Sequence, residues 1–147
     1  MTSAHRVLAG LLLAATLTGL LPASARAEPV SAADTRAVRA VVEAQLAAFA
    51  RDDGALAFSY AAPSIREMFG NAERFMAMVR SSYPAVYRPS EVVFLHPQWV
   101  QGILVQGVHL TDSAGSPWLA LYTLEKQGDQ SWRISGCRLQ PASGRMT

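Results

Sequence analysis

The chain has 147 residues, 13 Lys plus Arg against 11 Asp plus Glu, a formal net charge of +2 and one cysteine, Cys137. A single Cys excludes an intramolecular disulfide, so the apolar core must hold the fold unaided. Near-neutral charge with singly scattered positives lacks the electrostatic footprint of a protein that grips phosphate backbones or anionic lipid, so no nucleic-acid partner is expected.

Along the chain, the first segment reads as an export signal. The run Val7 to Leu21, "VLAGLLLAATLTGLL", carries no charge. It is about 15 residues long, where a spanning helix needs roughly 20. His5 and Arg6 give it a weakly positive start, Pro22 breaks it, and "ASARA" places small residues at Ala25 and Ala27. This pattern predicts a cleavable signal peptide over 1–27, cut between Ala27 and Glu28, and a periplasmic or secreted product. An uncleaved anchor is the alternative. No Cys near the cut offers itself to a lipid, so membrane contact is expected only through the signal peptide during export. Removing Arg6 and Arg26 lowers the 13 basic residues to 11, equal to the 11 acidic ones. Residues 28–147 are then one domain, long enough to bury roughly 65% of its unfolded surface.

From Ser31 to Arg51, Val38, Val41, Val42, Gln45, Leu46 and Phe49 recur at three- and four-residue steps, which predicts an amphipathic helix. Ser31 with Asp34 three residues on provides an acidic capping box. "RDDG" ends the helix, with Gly54 as the expected left-handed residue. "ALAFSYAA" is a short second helix stopping at Pro63, "SIREMFG" a further turn of helix, and Asn71 the cap of a third helix bearing Phe75, Met76, Met78 and Val79. Pro84 and Pro89 are expected to hold the following chain extended.

Beyond Pro89 the apolar period becomes two. "EVVFLH", "WVQGILVQGVHL", "WLALYTLEK" and "SWRISGCRL" read as four strands, with Gly102 and Gly107 as bends or bulges and "TDSAGSP" and "QGDQ" as turns. Short connections imply antiparallel neighbours. The fold class is therefore α+β, with N-terminal helices on a curved antiparallel sheet of about four strands. Strict alternation puts Trp118, Ala120, Tyr122 and Leu124 on one face, and sets Trp132 and Ile134 against Ser135, Cys137 and Leu139. Cys137, in a strand near the chain end, reads as a packed inert thiol.

"VVEAQLAAFARDDGALAFSYAAP", a long helix, an Asp-Gly break and a short helix ending in Pro, resembles the opening of nuclear transport factor 2-like domains. "ERFMAMVRSSYPAVYRP" and "WLALYTLEKQGDQSWRISGCRL" resemble a family of small exported bacterial proteins of unknown function with that fold. The resemblance runs from about Thr35 to Gln140. It implies a cone-shaped α+β barrel, open at one end, whose hydrophobic interior serves for small ligands, for catalysis or for pairing with another subunit.

The catalytic relatives of that superfamily, ketosteroid isomerase-like enzymes among them, use a carboxylate base in the cone beside an oxyanion-holding Tyr or acid. No Asp or Glu lies inside a strand pattern here, and Glu67 and Glu73 read as solvated helix charges. His96 sits before Pro97 at a strand edge. His109 alternates with Trp99, Ile103 and Val105 and is a candidate to look into the cone, although no partner is evident for it. Two isolated His do not make a metal site, and no Ser lies in a nucleophile-elbow pattern. No catalytic residue, metal or cofactor is assigned.

What remains is a pocket reading. Phe75, Met78, Tyr83, Tyr87, His109 and Tyr122 are the candidate walls, with Arg80 and Arg88 as candidate rim residues for an anionic group. Two functions of different class follow: a non-catalytic module for an apolar small molecule or protein partner, with a homodimer through the sheet face as one form, and a lyase or isomerase working in the cone.

Overall fold

A computed structural model describes residues 28–142. The proposed signal peptide and its cut site, and residues 143–147, lie outside the described residues. The described part is α+β: five helices, then an open five-stranded antiparallel sheet.

Helix α1 spans Ala32–Ala50. Its start follows the capping box, with Ser31 Oγ accepting from the Asp34 amide at 3.0 Å and donating to Asp34 Oδ2 at 3.0 Å. Its apolar stripe of Val38, Val42, Leu46 and Phe49 is buried in the core. The end departs from expectation. Asp52, not Gly54, takes the left-handed conformation, at φ 53°, while the amides of Asp52 and Asp53 close back onto Phe49 and Ala48. Gly54 instead begins helix α2, Gly54–Ser59, whose N-cap is Asp53. A Cβ at Gly54 would stand 2.8 Å from Met76 Cγ, so this glycine serves the close approach of α2 to the helix carrying Met76.

Pro63 does more than stop α2. It opens helix α3, Pro63–Phe69, at the position where a missing N–H costs least. Helix α4, Ala72–Ser82, is capped by Asn71, whose Oδ1 accepts the Arg74 amide at 2.9 Å. The chain after it is not extended: Pro84–Tyr87 is a short helix, α5, again with proline at its first position. The extended reading failed because a proline after a helix end can equally start the next helix.

Five strands replace the expected four: β1 Glu91–Phe94, β2 Gln98–Val100, β3 Ile103–Thr111, β4 Pro117–Lys126 and β5 Trp132–Pro141. The long second strand divides at Gln101 and Gly102, which have φ 50° and 78° and form a two-residue hairpin turn between paired Val100 and Ile103. Positive φ at both central residues matches the twist of a tight hairpin. Both β1 and β2 run antiparallel to β3 on one side of it, interrupted at His96–Pro97, and β4 and β5 follow on the other side. Gly107 is no bend. It pairs regularly with Leu121, and Leu95 lies across the space a side chain would fill, at 3.0 Å from the Cβ position.

A bulge in β5 matters more. Thr123 pairs with Gly136 and Leu124 with Ile134, so Ser135 is the extra residue. The alternation therefore shifts by one, and Cys137 and Leu139 come onto the face of Ile134, Ala120 and Tyr122 rather than opposing it. A Cβ at Gly136 would meet Thr123 Oγ1 at 2.9 Å, which explains the glycine beside the bulge.

The inner face (Leu104, Val108, Leu110, Ala120, Tyr122, Leu124, Trp132, Ile134) forms one core with α1, α4 and α5. At the other end of α1, Asp34 Oδ1 accepts Trp132 Nε1 at 3.1 Å and Lys126 Nζ at 3.0 Å, fastening its first turn to β4 and β5. No described helix is long and apolar enough to cross a membrane.

Candidate functional site

Between the helices and β5 the packing leaves a cavity of about 270 Å³, walled by Gln45 and Phe49 of α1, Ile65, Met68 and Phe69 of α3, Phe75, Met78 and Val79 of α4, and Tyr122, Ile134 and Cys137 of the sheet, with Tyr83 and Val86 closing one side. Three features of the chain create this space. The bulge at Ser135 bends β5 and turns Cys137 inward. The segment Tyr60–Ala62 runs beside that bulge, bonded through Ala62 N to Ile134 O at 2.7 Å and Ile134 N to Tyr60 O at 2.9 Å. Helix α3 then crosses without fully burying any of its residues, leaving Met68 75% exposed at the edge.

Four sequence candidates meet here: Phe75, Met78, Tyr83 and Tyr122. Phe75 is both core and wall. It is buried, and its ring stacks against Phe49, Phe58 and Phe69 at centroid distances of 6.0, 5.3 and 5.7 Å, within the range of favourable aromatic pairs. Tyr83, half-buried at the end of α4, donates its hydroxyl to the backbone carbonyl of Cys137 at 3.2 Å.

Tyr87 and His109 are not in the wall. His109 pairs with Val93 and Leu119 on the outer face of the sheet. Leu104, Gln106, Val108 and Leu110 hold the inner positions of β3 instead. Counting across the unseen hairpin at Gln101–Gly102 tied His109 to Trp99 in one alternation and turned it inward. Tyr87 is drawn to Asp52, which accepts its hydroxyl together with Arg80 Nη2 at 3.0 Å and Arg88 Nη2 at 2.6 Å. Both guanidinium groups also lie over the Tyr87 ring, at 5.5 and 4.9 Å. The Tyr87 hydroxyl and the two arginines lower the Asp52 pKa. Arg80 and Arg88 are thus partnered by Asp52 rather than arrayed at a cavity rim.

The polar groups of the cavity are few. Gln45, 3% exposed, donates Nε2 to Ala57 O at 3.1 Å. Tyr122 is 1% exposed, and its buried hydroxyl has no hydrogen-bond partner. Its neighbour across the strand pair, Cys137, is close enough to interact with it but not placed to satisfy it. Burial pushes the Tyr122 pKa well above its usual range, with Cys137 adding to the effect. Burial likewise pushes the Cys137 thiol up to about 12, the Tyr122 hydroxyl pulling weakly the other way. Both groups are protonated at neutral pH. Among the described residues the wall has no Asp, Glu, His, Lys or Arg, and no three metal-ligating side chains come together. Glu67 and Glu73 are exposed.

Sequence reading missed Ile65, Phe69, Ser135, Gly136 and Cys137 as wall residues. The available signal was Gln45, a polar residue set in the apolar stripe of α1.

The fold and cavity define a small α+β domain with an apolar interior site. A family model for a domain of unknown function, DUF4864, matches residues 31–147, and the chain belongs to that family. No curated protein and no solved structure matches the chain.

Proposed function

We propose that this is an exported, non-catalytic binding module of nuclear transport factor 2-like type, which holds an apolar small molecule in the cavity between α3, α4 and β5. The observation that carries the reading is the character of that wall: aromatic, aliphatic and thioether side chains, without a carboxylate, imidazole, ammonium or guanidinium among the described residues, and with Tyr122 and Cys137 both held protonated. Apolar walls with one or two polar groups are the usual composition of small-ligand sites. A lyase or isomerase needs a group that accepts a proton near neutral pH, and such a group is not among the described wall residues. The helix-first order and the bulged antiparallel sheet support the superfamily reading, and the sequence of residues 1–27 supports export.

The test is thermal unfolding with a library of apolar compounds. A ligand bound to the native state alone stabilises by about 2.7 kcal/mol at a hundred times its dissociation constant. Met78→Trp, which fills the cavity from its half-buried edge, is expected to erase the shift. No shift with any compound would refute the binding reading.

A second reading rests on a different observation. Leu95, Val100 and Ile103 are 41, 48 and 49% exposed, and with Val105, Leu119 and Leu121 they stand on the sheet face turned away from the helices. This supports a homodimer through the sheet face. Ultracentrifugation of wild type and Ile103→Lys tests it: a wild-type monomer at every accessible concentration would refute it.

A further inference from the structure

Resting on the binding reading, we infer that the ligand is a neutral molecule with an apolar body and one hydrogen-bonding oxygen, which meets the hydroxyl of Tyr122. A buried hydroxyl without a partner loses the hydrogen bonds it would have in water, and native structures keep few such groups. Tyr122 belongs to the wall of the apolar cavity between the helices and β5, and the residue is 1% exposed. Its neighbours leave the deficit in place. Tyr83 spends its hydroxyl on the Cys137 carbonyl at 3.2 Å, and Gln45 its Nε2 on Ala57 O at 3.1 Å. The Cys137 thiol beside Tyr122 is only a weak donor and acceptor.

Charge is excluded by the same wall. Arg80 of α4 and Arg88, which follows α5, are paired with Asp52, and no described wall residue is cationic or anionic. An ionised ligand would leave water for an apolar site without a counter-charge.

Size follows from volume. A cavity of about 150 Å³ accepts benzene, so about 270 Å³ suits a body of roughly eleven non-hydrogen atoms, the size of a fused two-ring alcohol.

The experiment compares three probes on the folded protein at pH 7 by isothermal titration calorimetry: 2-naphthol, naphthalene and 2-naphthoate. Wild type is expected to bind naphthol about tenfold tighter than naphthalene and at least tenfold tighter than naphthoate. Tyr122→Phe deletes only the unpartnered oxygen. It is expected to leave naphthalene affinity within about twofold and to bring naphthol to the same level. Equal binding of naphthol and naphthalene by wild type, tight naphthoate binding, or a naphthol preference that survives Tyr122→Phe overturns the inference while leaving the cavity a binding site. Failure of all three probes to bind overturns the inference, and, joined to the absence of a thermal shift with any library compound, removes the binding reading itself. The wild-type comparison stands without the variant.

Discussion

The hydroxyl of Tyr83 donates to the main-chain carbonyl of Cys137 at 3.2 Å, joining the end of α4 to β5 two residues beyond its bulge. The same tyrosine lines the cavity, so its ring and its oxygen have separable roles. Tyr83→Phe is expected to cost about 0.5–1.5 kcal/mol in chemical denaturation, the ordinary worth of one hydrogen bond. Tyr83→Ala is expected to cost more and to diminish ligand-induced thermal shifts by a larger factor than it lowers the unliganded melting point. The reverse order would assign the ring to the core alone.

Cys137 is expected to resist thiol reagents. With its pKa pushed to about 12, roughly one thiol in ten thousand is ionised at pH 8, against a substantial fraction in the unfolded chain. Reaction with a disulfide reagent should be slow in native buffer and fast in denaturant. Equal rates would mean that Cys137 does not face inward after the bulge.

The same burial sets a high-pH limit on stability. Folding raises the pKa of Cys137 from 9.0 to about 12 and raises that of Tyr122. For an acid so shifted, the unfolded chain releases its proton first. The contribution is complete below the unfolded value and is lost progressively as pH rises from about 9 toward 12. Denaturation midpoints should fall over that window, and Cys137→Ala should flatten the lower part of the fall.

Asp34 gives the opposite limit. Its hydrogen bond from Lys126 is the largest cause of a lowered pKa, with Trp132 and Ser31 adding to it. A depressed carboxylate contributes stability above its unfolded value, and that contribution disappears as pH falls through the folded one. Asp34→Asn should destabilise at pH 7 and make the midpoint less sensitive to pH between about 5 and 2.

Two backbone positions are expected to respond to substitution in opposite directions. Gln101 holds φ 50° in the β2–β3 hairpin without the side chain that suits it, and Gln101→Asn is expected to stabilise by about 0.5–1 kcal/mol. Gly54→Ala should do the reverse although Ala favours helix, because its Cβ would press Met76 Cγ at 2.8 Å. Urea titration of both variants checks the pair.

Much of the helical half was legible because its signals are local. Ser31, Asn71 and the α1 stripe act within a few residues, and all three are found in place. Pairing was harder. Gly102 was visible, but whether it bends a strand or turns a hairpin depends on the neighbour of Val100, which only the folded sheet supplies. That one ambiguity misplaced His109. The bulge at Ser135 has no signature beyond a Ser-Gly pair, yet it decides which way Cys137 points. Of the cavity, the residues on α4 were readable from their composition. The unpartnered state of Tyr122 was not, since it is a property of everything around it.

Lys126 is the sole lysine of the chain, and its ammonium bonds to Asp34 at 3.0 Å and lies 5.2 Å from the centre of the Trp132 ring. Amine-directed chemistry therefore addresses one side chain, placed at the seam between the first turn of α1 and the sheet. Its acylation rate becomes a local gauge of whether that seam is closed. A tag put there also reads against Trp132 as a built-in fluorophore, without any engineered residue.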